Sequence, residues 1–102
     1  MGDYEMRCRA EARLAILAEL AKQPGASFNT QILTAMIRAI VPRRSQSWLE
    51  TQVAWLGQAA AIDLRRIDVT GVGPVTVATL ARTGRNHVEG RELIPGISKP
   101  WF

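Results

Sequence analysis

Between Val41 and Leu56 the chain reads VPRRSQSWLETQVAWL, and its polar residues are types that recognise nucleic acid. Arg43 and Arg44 offer the flat, multi-donor fork that meets a phosphate or a guanine edge with two hydrogen bonds. Gln46 suits an adenine edge in the same way. Ser45, Ser47, Glu50 and Thr51 extend this polar opening into a helix whose Leu49, Val53 and Leu56 form an apolar stripe. A basic, polar first turn on a core-anchored body is what a DNA-binding protein lays into a major groove. A second arginine pair, Arg65-Arg66, is set to neutralise phosphates or enter a minor groove. Trp48 and Trp55 lie one heptad apart. Trp55 borders the stripe and is expected inside, while Trp48 is a candidate contact for a partner protein or a base.

Other reactive types are sparse. Cys8 has no base near it in sequence, which leaves no basis for a nucleophile. His87 has no acidic or nucleophilic partner at a useful spacing and reads as a surface or boundary residue. One cysteine and one histidine do not make a zinc site without help from carboxylates or another chain. Gly71-Val72-Gly73 lacks the following helix that a dinucleotide site requires. There is no paired-carboxylate constellation either. The expectation is a protein with no catalytic residues, no metal, no cofactor and no small-molecule substrate.

At 102 residues, 47% of them apolar, the chain is one domain with enough hydrophobic material for a single core. No run approaches the roughly 18 apolar residues of a membrane span, so no membrane partner is expected. The acidic residues at once after Met1, with no apolar segment behind them, argue against a secretory signal. A lone cysteine fits the cytoplasm. The net charge of +4 is localised. Residues 1–37 balance, as do residues 86–102, and the excess lies between Arg38 and Arg85. There seven arginines face Glu50, Asp63 and Asp68.

These residues need elements to hold them. Ala10, Leu14, Leu17 and Ala21, widened by Ile16 and Leu20, predict a helix over 4–23 that Pro24-Gly25 ends. Cys8 falls on its outer face. Ser27-Phe28-Asn29 reads as extended, and Asn29 caps a second helix over 30–40 with Ile32, Leu33, Met36, Ile37 and Ile40 inward. Val41-Pro42 stops it. The third helix, 45–59, starts at Ser45 or at Ser47, the latter with Glu50 at capping-box spacing. It turns Leu49, Val53, Leu56 and Ala60 inward. Ile62 and Leu64 alternate with Asp63, and the phase then slips to Ile67 and Val69, which predicts a bulge at Arg65-Arg66. Thr70 to Pro74 is a loop, and Val75 to Thr79 a second strand. Thr79 is placed to cap a last helix over 80–90, weakened by Gly84.

The resulting order is helix, short strand, helix, helix, strand, loop, strand, helix. It predicts an α+β fold, mainly α with a small antiparallel β-hairpin, of winged helix-turn-helix type. The domain covers residues 1–91, and its wing covers 65–76. Residues 92–102 form an extended apolar tail, which either packs on the domain or docks on another chain. Trp48, Trp101 and Phe102 are the candidate partner-binding residues. The implied partner is duplex DNA, bound by the chain as a monomer or homodimer. The alternative is a protein-interaction module.

Five segments carry a resemblance over about residues 4–100: RLAIL at 13–17, SFNTQIL at 27–33, TQVAWL at 51–56, VATLARTG at 77–84 and LIPGISKP at 93–100. The chain resembles the small winged-helix proteins encoded in the structural gene clusters of Mu-like phages and prophages, ArsR-like in fold. The resemblance implies the winged-helix fold, a phage or prophage origin, and a role either in transcription regulation or beside phage structural or packaging proteins. It implies no ligand. Where the resembling pattern has glycine after the third helix, this chain has Ala60, so a different helix end is expected.

Overall fold

The structure, a computed structural model, describes residues 2–40 and 43–100. Its elements are α1 (Gly2–Ala21), β1 (Ser27–Asn29), α2 (Thr30–Ile40), α3 (Gln46–Gln58), β2 (Ile62–Val69), β3 (Gly73–Leu80) and α4 (Arg82–Val88), with a 3-10 turn at Pro24–Ala26. The fold is α+β: four helices and a three-stranded antiparallel sheet in the order β1-β3-β2. No helix among the described residues is long and apolar enough to cross a membrane.

α1 is the centre of the helical layer and touches α2, α3, α4, β1 and β3. A helix surrounded in this way has no single apolar stripe. Its buried residues are Ala12, Arg13, Ile16, Leu17 and Leu20, a line rotated from the expected Ala10, Leu14, Leu17 and Ala21. α2 begins and ends as its sequence predicts. The Asn29 side-chain oxygen accepts the amides of Gln31 (2.8 Å) and Ile32 (3.3 Å). Leu33 and Ile37 are fully buried, but Ile32 and Ile40 are exposed, contrary to expectation. Thr34 takes an inner position instead, its hydroxyl bonded back to the carbonyls of Thr30 and Gln31. The stop at Val41-Pro42 lies outside the described residues.

Ser45, not Ser47, caps α3. Its backbone is extended and its Oγ accepts the Trp48 amide at 3.1 Å. Ser47 sits inside the first turn, and Glu50 accepts from Gln46 Nε2 at 3.2 Å rather than closing a capping box. Leu49, Val53 and Leu56 are buried as expected, together with Gln52. Ala60 is exposed, not inward. It adopts φ +62°, its amide donates to the Gly57 carbonyl, and the next amide, Ala61, donates to Leu56. That pair of bonds is a Schellman ending, made here by alanine where glycine is usual.

β2 and β3 pair without interruption from Ile62 opposite Leu80 to Val69 opposite Gly73, so there is no bulge at Arg65-Arg66. The phase slip has another cause. Ile62 and Leu64 share the sheet face that packs on the helices, with Leu64 beside Gly57. Beyond Leu64 that face continues with Arg66 and Asp68, which are exposed. Ile67 and Val69 belong to the opposite face, which no helix among the described residues covers. Thr79 lies in β3, its hydroxyl 2.7 Å from that of Ser27, and therefore does not cap α4. α4 starts after Ala81, later than expected. Gly84 is a packing requirement: a Cβ there would run into the Ala61 carbonyl and come 2.9 Å from Leu80 Cδ1.

Candidate nucleic-acid interface

Four elements frame a shallow groove. Thr30, Gln31 and Thr34 of α2 form one wall, Glu50, Val53 and Ala54 of α3 the floor, and Leu64 and Thr76 of the hairpin the other wall. Arg66 pairs with Thr76 across the ladder and therefore flanks this groove. Along α3 the rim carries Ser47, Glu50, Thr51 and Ala54, all exposed. Thr51 turns its hydroxyl to the Ser47 carbonyl at 3.0 Å, and the Ser47 hydroxyl lies 3.2 Å from that of Ser45. These hydroxyls are satisfied locally and stay open to further partners.

The expected basic patch is dispersed. Strand alternation sends Arg65 to the uncovered face and Arg66 to the groove side, so the pair acts in two directions. Arg43 is exposed, but Arg44 is half-buried and engaged. Its Nη2 donates to Glu5 at 2.9 Å, and its guanidinium lies 4.4 Å over the Trp48 ring. The Cys8 sulfur, then Glu5, hold that guanidinium above its ordinary pKa. Gln46 is half-buried and donates to Thr34 and Glu50, which removes it from the free reading surface.

Trp48 faces inward more than expected. It packs against the core, and its indole Nε1 donates to Glu5 at 3.0 Å. Glu5 also accepts from Arg9 and Arg44. Between Glu92 and Pro100 the tail packs on its own domain. Arg13 Nη1 donates to the Gly96 carbonyl at 2.9 Å, and the Ser98 amide donates to Ala10 at 3.1 Å. Ile97 is buried. Trp101 and Phe102 lie outside the described residues.

His87 is not a surface residue. It is fully buried, with Nδ1 accepting the Ile94 amide (2.9 Å) and Nε2 facing the Ser98 carbonyl (2.8 Å). The acceptor role of Nδ1 places the proton on Nε2. A second buried node escaped the sequence patterns. Arg13 Nε donates to Gln52 at 2.9 Å, and its guanidinium stacks 3.8 Å over Trp55. Burial lowers the pKa of Arg13, with Arg9 adding to the effect. Gly96, at φ +94°, lies so close that a Cβ would come 2.7 Å from the Trp55 ring.

No protein-family model, curated protein or solved structure matches this chain.

Among the described residues, no three His, Cys, Asp or Glu side chains gather as a metal-binding group. The α2–α3–hairpin groove combines open hydroxyls and the Glu50 carboxylate with Arg66 and Asp68 at its hairpin flank.

Proposed function

We propose that this is a winged-helix protein that binds duplex DNA without catalysis, α3 entering the major groove and the β2–β3 hairpin serving as wing. A phage or prophage origin and action in the host cytoplasm belong to the same proposal. The observation that carries it is the division of α3. Leu49, Val53 and Leu56 fix it in the core, while Ser47, Glu50, Thr51 and Ala54 stand exposed beside a sheet face that carries Arg66 and, beyond it, Asp68. The contact set is narrower than the arginine count suggests. Ser47 offers its hydroxyl to bases or phosphate, Thr51, whose proton goes to the Ser47 carbonyl, accepts from a base amino group, Glu50 accepts from a cytosine amino group, and Arg66 and Arg43 meet phosphate. Arg44 and Gln46 act by holding the start of α3 in place, and Ser45 by capping it.

The test is a fluorescence-anisotropy titration with a labelled mixed-sequence duplex at low and moderate salt. Micromolar or tighter binding that weakens steeply with salt is expected. Arg66→Ala should weaken it several-fold and lower the salt slope by about one, while Arg65→Ala leaves both nearly unchanged. Absence of binding at low salt would sink the DNA reading.

A second reading, an interaction module in phage assembly or packaging, draws support from the exposed apolar residues Tyr4, Met6 and Ile40. It draws less from Trp48 and the tail, since Trp48 is bonded to Glu5 and residues 92–100 lie on their own domain.

A further inference from the structure

Away from the DNA-facing groove, a second and more apolar groove of about 390 Å3 opens between the first half of α1, the end of α2 and the start of α3. Its walls include Tyr4, Cys8, Ala12 and Ala15 of α1, with Ile40, Trp48 and the Arg43-Arg44 pair opposite. Tyr4 is 70% exposed and Ile40 67%, high values for large apolar side chains. Along α1, Tyr4, Cys8, Glu11 and Ala15 follow one another at steps of four, three and four, the spacing of a helix–helix seam. Beside that seam stands Arg7. Arg7 and Glu11 are both exposed, and neither has an ion-pair or hydrogen-bond partner among the described residues.

We propose that this groove is a self-association surface that takes α1 of a second copy of the chain, antiparallel to its own. The choice of occupant rests on charge. When Tyr4 of one copy lies against Ala15 of the other, Cys8 faces the second copy's Glu11, and Arg7 comes within side-chain reach of that same Glu11. Two-fold symmetry makes the pair twice, as an isologous interface requires. Glu11, which enters a groove also lined by Arg43 and Arg44, is thereby neutralised on burial. Cys8, Ala12 and Ala15 are small enough for close approach of the two helices, and Tyr4 and Ile40 supply the apolar area. The assignment uses no residue of the α3–hairpin groove, and shares with the DNA reading only Arg43, which lines this second groove as well.

Sedimentation equilibrium of the full chain, from low micromolar to roughly 100 μM, tests it. Dimers are expected within that range, which corresponds to a moderate interface. Arg7→Glu should weaken dimerisation by about tenfold or more, since it sets like charges together. The swap Arg7→Glu with Glu11→Arg should restore it, which a merely misfolded variant would not do. A short bismaleimide should join two copies through Cys8 at a rate that follows the dimer population. A chain that stays monomeric throughout overturns the proposal. So does a dimer indifferent to Arg7→Glu, which must use another surface.

Discussion

Glu5 accepts hydrogen bonds from three side chains, one on α3, one before it and one on α1 itself. The Trp48 indole does most to hold its carboxyl below the ordinary glutamate value. Partial burial opposes this, and Arg44 and Arg9 add to it. A depressed carboxylate contributes stability above its unfolded pKa, about 4.3, and loses it as pH falls through the folded value. Thermal unfolding followed from pH 6 to pH 3 should therefore show a steeper acid loss in the wild type than in Glu5→Gln. Parallel profiles would remove Glu5 from the account. Nothing local marks Glu5 for this role, because Trp48 and Arg44 approach from 43 and 39 residues away. Arg13 falls in phase with Ile16, Leu17 and Leu20, and a charge on that line demands acceptors. Its acceptors, Gln52 and the Gly96 carbonyl, are non-local, and the buried line itself is rotated from the expected one, so neither is legible in the sequence. The burial of His87 is illegible for the same reason, since its two partners come from a tail without regular structure.

Elements whose boundaries are written in local chemistry are legible in the sequence. β1 and α2 have their expected limits because Asn29 caps and Ser27-Phe28-Asn29 cannot start the helix earlier. The hairpin was legible in outline but not in the direction of its arginines. An apolar phase slip looks the same whether a strand bulges or outruns the helices that cover it. α1 was placed, yet its buried line was not, because neighbours on several sides erase a one-sided stripe. The end of α3 is the most instructive case. Ala60 takes the left-handed conformation despite its Cβ, held by the Thr83 hydroxyl on its carbonyl at 2.6 Å and by the Ala61 amide closing on Leu56. Left-handed backbone costs a non-glycine residue about 1–2 kcal/mol. Glycine recovers part of this and returns some as unfolded-chain entropy. Ala60→Gly should therefore stabilise the fold by roughly 0.5–1 kcal/mol, read as a raised denaturant midpoint at unchanged m-value. A lowered midpoint would mean that the methyl group contributes packing not evident at this exposed position.

At the scale of the molecule, the tail ties α4 to α1. His87 holds both Ile94 and Ser98, Arg13 holds Gly96, and Ser98 reaches Ala10. His87→Ala leaves an amide and a carbonyl without their buried partner and should cost about 2–4 kcal/mol. Limited proteolysis should then cut within residues 92–100 well before the domain itself. Uniform resistance would show that Arg13 and Ile97 suffice to hold the strap. The two stacked tryptophans extend this division into optics. Trp55 lies under Arg13 and against Gly96, so its emission responds when the tail lifts. Trp48, under Arg44 and bonded to Glu5, responds when α1 leaves α3. In a background with Trp101→Phe, removing one or the other indole converts intrinsic fluorescence into two separate clocks. One times the release of the strap and the other the opening of the helical layer, without any added dye.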